Sequence, residues 1–263
     1  MLKKLLKYEL TFMGKFLIIY YAITLSLALL TRLFFAIDTT TFLNILAEIF
    51  SGAHISFLIS TLINVLMRYW VRFRRNFYAD ESYLTHTLPI EKRTQYAAKV
   101  LGGIITMSVT VMFLIGCVLI AYGTTENFEF LKNTLGAAES ALEAPLGGLI
   151  ALVAIVFLLE CMHIQQAGFL GTVLGHRKQN AKIGFSVLFA IVVYLAAQVL
   201  MVISIVIVGL FNESIMQLLT SNQLPTVEAL TTLLIVAIVF YALTIAATYI
   251  IGEKFFEKGV NVD

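Results

Sequence analysis

The sequence predicts an all-α integral membrane protein with six transmembrane helices, and three observations carry this prediction. Hydrophobic residues make up 60% of the 263 residues and charged residues 13%, about half the charge of a soluble protein. Six apolar runs have the length, about 20 residues, that a helix needs to cross a hydrocarbon core. The runs lack the alternation of strands, and helices satisfy their own backbone in lipid. The runs cover residues 17–36, 46–70, 100–122, 146–170, 183–211 and 227–251.

Basic residues are distributed unevenly between the two sides of the membrane that these runs define. Only Arg32 and Lys132 fall on one side, and sixteen of the eighteen Lys and Arg residues fall on the other. Because the side rich in basic residues is the cytoplasmic side, we expect both termini in the cytoplasm. The sixteen residues are Lys3, Lys4, Lys7, Lys15, Arg68, Arg72, Arg74, Arg75, Lys92, Arg93, Lys99, Arg177, Lys178, Lys182, Lys254 and Lys258.

The N-terminal segment, residues 1–15, has an apolar face and a basic face. Leu2, Leu6 and Leu10 share one side of a helix, whereas Lys3 and Lys7 lie on the other. This pattern is typical of a helix that lies in the membrane interface with its lysines near lipid phosphates. We therefore expect a separate interfacial helix before the first span.

The connector between spans two and three, residues 76–99, is the most distinctive polar segment. It is long for a loop in a helix bundle. Asp80, Glu81 and Ser82 offer acceptors for the free N–H groups of a helix start, and Pro89 ends that helix. The sequence thus predicts a short helix inside this connector. The outer connectors, residues 123–145 and 212–226, are too small for a further domain.

Glu160 is an ionisable residue deep within the fourth apolar run, and it shares a helix face with His163. Gln166 follows one turn later. An ionisable residue in a span usually faces the bundle interior or a water-filled cavity. Two interpretations remain open: the patch lines a transport path, or it is an internally paired structural group.

Other residues and motifs considered for a chemical role give weaker evidence. A Glu-x-x-His metal site needs further carboxylates on facing helices, and none is evident, so we expect no metal site. Gly171 and Gly175 form a small-xxx-small step, which favours close helix packing, either within the bundle or in a dimer. The sequence contains no nucleophile elbow, zinc-protease or P-loop motif, and we expect no catalytic site.

This layout resembles the membrane-spanning permease subunit of an ABC-2-type transporter. The resemblance covers most of the chain in its order of elements and is specific over residues 77–103. There the acidic pair, the aromatic residue, and the Leu-Pro step resemble the inner-loop motif of small Firmicutes permeases. These residues are Asp80, Glu81, Tyr83, Leu84, Leu88 and Pro89.

The resemblance implies that residues 76–99 form a cytoplasmic coupling helix for an ATPase, carried by the residues above together with His86. The implied protein is an exporter of an amphipathic molecule in a bacterial plasma membrane. Its partners would be cytoplasmic ABC ATPase subunits, a second permease copy or a paralogue, and membrane lipids, with no nucleic acid. ATP and Mg²⁺ would be used by the ATPase, and this chain would bind no cofactor.

Two other classes compete with this interpretation. A secondary transporter would contain inverted repeats and discontinuous helices with charged sites at mid-membrane. The sequence shows one buried Glu and no visible repeat. A non-transporting membrane scaffold or immunity protein would need no coupling helix and would not bind an ATPase.

The orientation is a testable prediction. In a variant without native cysteines, a membrane-impermeant maleimide should label single cysteines at residues 132–140 and 219–223 from outside sealed cells. Cysteines at residues 76–95 and 255–263 should react only after permeabilisation, because they lie on the basic side. Labelling of the second group in sealed cells would contradict the orientation.

Overall fold

The structure is a computed structural model that describes residues 1–37, 40–142, 147–220 and 226–259, without the side chains of residues 135 and 137–142. Within these ranges the chain forms nine α-helices and no strand. They are α1 (Leu2–Ala36), α2 (Thr41–Tyr78), α3 (Ser82–Thr87), α4 (Lys92–Tyr122), α5 (Thr125–Leu142), α6 (Gly147–Gly175), α7 (Lys182–Gly209), α8 (Glu213–Thr220) and α9 (Val227–Glu257).

Six helices are long and apolar enough to cross a membrane, namely α1, α2, α4, α6, α7 and α9. Each contains one of the six apolar runs, apart from residue 146 of the fourth run, which lies outside the described residues, and the last two residues of the fifth run. The predicted all-α membrane fold is confirmed at this level. Several helices continue well past their apolar run. α2 runs on to Tyr78 and α6 to Gly175, because nothing in those flanks breaks a helix.

The prediction of a separate N-terminal helix over residues 1–15 is wrong in one respect. α1 continues without a break from Leu2 to Ala36. Its buried residues form one stripe that begins with Glu9, Met13 and Leu17 and so passes Gly14. A single glycine costs a helix only about 1 kcal/mol, which the packing of such a stripe offsets.

The outer connectors hold helices as well. α5 has 18 residues and α8 has 8. α8 begins where the Asn212 side chain accepts a hydrogen bond from the backbone N–H of Ile215, at 3.1 Å. Residues 143–146 and 221–225 of these connectors lie outside the part of the chain that the structure describes.

The chain divides into two compact units. Unit 1 comprises Met1–Val71 and Ala97–Lys132. Its helices are joined by polar contacts, among them a buried ion pair between Glu9 and Lys99 at 2.5 Å. The Tyr69 hydroxyl donates to the carbonyl of Gly102 at 2.9 Å. Hydrogen bonds of this kind between helices help to hold membrane bundles together, because the hydrophobic effect contributes little to helix association in lipid.

Unit 2 comprises Arg72–Tyr96 and Asn133–Asp263. In it α6 packs along both α7 and α9. A Cβ atom on Gly171 would overlap Ala190 of α7, and one on Gly175 would overlap Ser186. The two glycines therefore allow close helix packing within the unit. This agrees with the first of the two interpretations given above, packing within the bundle or packing in a dimer. Unit 2 also contains every residue that the sequence analysis proposed for function.

Candidate functional site

The connector after α2 is held by the end of that helix. The backbone N–H of Glu81 donates to the carbonyl of Arg75 at 3.1 Å, which closes the last turn. The Glu81 carboxylate accepts a hydrogen bond from Asn76 and lies 3.7 Å from Arg75. Glu81 is the N-cap residue of α3, but its side chain caps no N–H group. The expected side-chain cap is therefore absent, because the carboxylate pairs with α2 instead.

The other end of α3 follows the prediction for Pro89. Leu88 adopts an extended backbone with φ −65° and ψ 133°. A residue before proline is disfavoured in the helical region, so α3 ends after six residues. The Gln95 side chain of α4 then donates to the carbonyls of Thr85 and Ile90, at 3.2 and 3.1 Å. These bonds attach both α3 and the chain after it to α4.

His86 attaches the body of α3 to the rest of unit 2. Its Nε2 lies 3.0 Å from the carbonyl oxygen of Phe77, in hydrogen-bond contact. Its ring centroid lies 6.3 Å from that of Phe256 on α9. A helix of six residues is not stable alone, so these contacts fix its position.

An aromatic cluster lies next to α3. It is formed by Phe73, Phe77, Tyr96, Phe169 and Phe256. Phe77 meets Phe256 edge-on with centroids 4.6 Å apart, and Phe73 stacks on Phe169 at 4.7 Å. Tyr96 lies 5.7 Å from Phe256. All five side chains are buried. The aromatic cluster thus joins the end of α2, the start of α4, α6 and the end of α9.

An ion pair reinforces the same junction at the surface. Arg93, in the first turn of α4, pairs with Glu257, the last residue of α9. Close by, Tyr96 contacts α9 at Gly252, where a Cβ atom would overlap the tyrosine hydroxyl. Only glycine lets the two helices approach this closely without a shift.

The residues predicted to couple to an ATPase divide into two groups. Glu81 and His86 face the rest of unit 2 through the contacts described above. Tyr83 and Leu84 are 77% and 67% exposed, and Leu88 is 45% exposed. Asp80 and Pro89 are exposed as well. The first group positions α3, and the second group forms its free surface.

The polar patch of α6 lies near the middle of that helix. Glu160 is the 14th residue of a 29-residue helix, so it lies ~20 Å from either end by helical rise. His163 follows one turn later and is fully buried. Gln166 is also buried, but it is not among the residues that bond to Glu160. The sequence pattern grouped Gln166 with Glu160 and His163, and no hydrogen bond to Glu160 supports that grouping.

Glu160 interacts with residues of two other helices. Its Oε1 accepts hydrogen bonds from the Tyr194 hydroxyl at 2.9 Å and from the Gln198 amide at 3.3 Å, both on α7. Tyr241 of α9 lies against His163, with ring centroids 5.7 Å apart, and His163 stacks on Tyr194 at 6.1 Å. We call Glu160, His163, Tyr194, Gln198 and Tyr241 the Glu160 cluster.

Several polar atoms of the Glu160 cluster are buried without a hydrogen bond. These are Oε2 of Glu160 and both ring nitrogens of His163, counting partners among the described residues only. A buried polar atom without a partner loses its hydration and gains nothing in return. The Glu160 cluster therefore has spare capacity to bind a polar group.

Sequence reasoning missed the two tyrosines of the Glu160 cluster. Tyr194 and Tyr241 lie in apolar runs, where a tyrosine reads as an ordinary core residue, and Gln198 stands alone in its run. The signal available in the sequence was that two further spans each carry a polar side chain that could meet Glu160. Among the described residues, no group of three or more His, Cys, Asp or Glu side chains is arranged to hold a metal ion.

Comparison of the chain with models of protein families, with curated proteins and with solved structures found no match. Two features of unit 2 bear on function, namely the free surface of α3 and the Glu160 cluster.

The role of His86 is open to a direct test. Replacement by alanine removes the contact with the Phe77 carbonyl and the ring beside Phe256. Amide hydrogen exchange of residues 82–87 should then become at least about tenfold faster, because local opening becomes easier. Thr87→Ser, a change on the exposed side of the same helix that keeps the hydroxyl bonded to the Leu84 carbonyl, should leave exchange unchanged. Equal exchange in wild type and His86→Ala would contradict the anchoring role.

Proposed function

We propose that this chain is the permease subunit of an ATP-driven ABC-2-type exporter. The observation that carries the proposal is the free surface of α3. It presents Tyr83, Leu84 and Leu88 to solvent, on a helix that is fixed to the ends of two long helices and the start of a third. Two large exposed apolar side chains on so short a helix, with a third directly after it, favour a docking surface over an ordinary turn.

The partner that fits this surface is a soluble ATPase subunit. A permease without an ATPase of its own must receive conformational work from outside the membrane. Tyrosine is enriched in protein interfaces, and Leu84 beside it adds apolar area for a cleft in the partner. Exposed Asp80 adds a negative charge at the rim, where it steers a basic partner.

The anchors of α3 explain how work would enter the membrane domain. A force on Tyr83 and Leu84 is transmitted by His86 to Phe77 of α2 and Phe256 of α9. Because aromatic side chains in a buried cluster pack densely, such a displacement moves the helix ends together. The ends of these helices would tilt in response, and that tilt is the conformational step of the exporter.

The remaining parts of the proposal follow from this role. ATP and Mg²⁺ are used by the ATPase subunits, and the chain itself binds neither. It works with a second copy of itself or with a paralogue, in a bacterial plasma membrane with both termini in the cytoplasm. Its substrate is an amphipathic molecule, such as a drug, an antimicrobial peptide or a lipid-like compound. The Glu160 cluster lies on the substrate path.

One observation favours a second candidate function. The Glu160 cluster puts a carboxylate and a histidine at the middle of a span, which is the usual place for the site of a secondary transporter. Such a protein would move its substrate with an ion gradient and without an ATPase. The two functions differ in whether transport needs the surface of α3.

The test is purification of the tagged chain from its native membranes in mild detergent. We expect a copurified subunit with a nucleotide-binding domain, identified by mass spectrometry, and Mg²⁺-dependent ATP hydrolysis that vanadate inhibits. The double variant Tyr83→Ser with Leu84→Ser should lower recovery of that subunit by at least about tenfold, since buried aromatic anchors dominate interface energies.

Thr87→Ala is the matched control, because it changes an exposed residue of the same helix outside the apolar group. It should retain the subunit. A wild-type preparation without any ATPase, or equal recovery with the double variant, would contradict the proposal. Transport driven by an ion gradient in vesicles that lack the ATPase would favour the secondary transporter.

A further inference from the structure

We propose that the Glu160 cluster binds a primary ammonium group carried by an amphipathic substrate. This inference rests on the proposed function for its physiological meaning and names the substrate class of the same site. Its chemistry is set by the side chains of α6, α7 and α9 in unit 2.

The carboxylate specifies a cation. The two hydrogen bonds to Glu160 Oε1 come from neutral donors, the Tyr194 hydroxyl and the Gln198 amide. Neither donor carries a positive charge, so an ionised Glu160 has no cationic partner among its hydrogen bonds, and an unpaired charge within a span is costly. A positively charged head group that enters the site would lower that cost directly.

The unused acceptors specify a group with N–H donors. Oε2 of Glu160 and both ring nitrogens of His163 lack a partner at hydrogen-bond distance among the described residues, while the Tyr241 hydroxyl interacts with the same carboxylate. A neutral imidazole offers one acceptor nitrogen, and a carboxylate oxygen offers two lone pairs. An ammonium group carries three donors, so it can satisfy both side chains at once. A quaternary ammonium has the charge but no donor.

The aromatic rings favour the same ligand. The ring of His163 lies near those of both Tyr194 and Tyr241, at centroid distances of 6.1 and 5.7 Å. The face of a tyrosine ring attracts a cation through its negative electrostatic potential, more strongly where water is excluded. Tyr194 and Tyr241 therefore add aromatic surface beside His163, one turn from the carboxylate.

The position of the site favours a substrate with an apolar tail. Glu160, Tyr194 and Gln198 each keep part of their surface exposed, so a head group can reach the carboxylate between α6 and α7. The terminal torsion of a glutamate is soft, so the carboxylate can adjust to a head group that enters. One turn away on the same faces, Phe157 and Ile191 are exposed and can contact the tail.

The experiment uses the full chain in lipid nanodiscs, without any ATPase, and radiolabelled dodecylamine as the probe in equilibrium dialysis at neutral pH. Empty nanodiscs correct for partition into lipid. We expect saturable binding to the wild-type chain, and an affinity about tenfold lower for Glu160→Gln, which keeps the shape of the side chain and removes its charge. Glu228→Gln, the same change at an exposed position of α9, should bind as wild type does.

Competition on the wild-type chain decides the chemical class even if Glu160→Gln gives little folded protein. Dodecyltrimethylammonium, with the same charge and tail but no N–H donor, should compete at least about tenfold more weakly than unlabelled dodecylamine. Dodecyl sulfate should not compete. Equal binding by wild type and folded Glu160→Gln, equal competition by the quaternary amine, or no saturable binding would each overturn the inference.

The result is separable from the test of the proposed function. Loss of the ATPase from wild-type preparations would reject the exporter and leave ammonium binding untouched. Absence of ammonium binding by a chain that does assemble with an ATPase would reject only the ligand class.

Discussion

The packing of Phe77 against Phe256 is the contact on which the proposed function of this protein depends. α3 has six residues and cannot hold its own shape, so its position is set by what lies beneath it. The aromatic cluster supplies that support from four long helices. Without it, Tyr83 and Leu84 would sit on a mobile loop, and a force on them would move the loop rather than the membrane helices.

The same helix that ends in the aromatic cluster also reaches the Glu160 cluster. α9 carries Phe256 near its end and Tyr241 fifteen residues earlier, which is ~22 Å along a straight helix. A tilt of α9 therefore shifts a tyrosine that borders the buried carboxylate. The two features of unit 2 are joined by one rigid element, which is what a pump needs if events at its surface are to alter a site in its interior.

Hydropathy and charge predicted the six spans well, because a bilayer requires long apolar helices and little else can satisfy the backbone there. The end of α3 at Leu88 was equally predictable, since proline acts on its immediate neighbour. Contacts between distant residues were not. Nothing local in the sequence pairs Glu9 with Lys99, or Glu160 with Tyr194, and a tyrosine in a span resembles any other core residue until its neighbours are known.

The central claim is that α3 and α9 move as one body, and a distance measurement between spin labels at residues 87 and 243 tests it most directly. Double electron–electron resonance should give one narrow distance distribution, which broadens in Phe256→Ala because the aromatic cluster loses its link to α9. Phe255→Ala, a change at the neighbouring aromatic outside the cluster, should leave the distribution narrow. A broad distribution in the otherwise unchanged chain, or one that Phe256→Ala does not alter, would contradict the account.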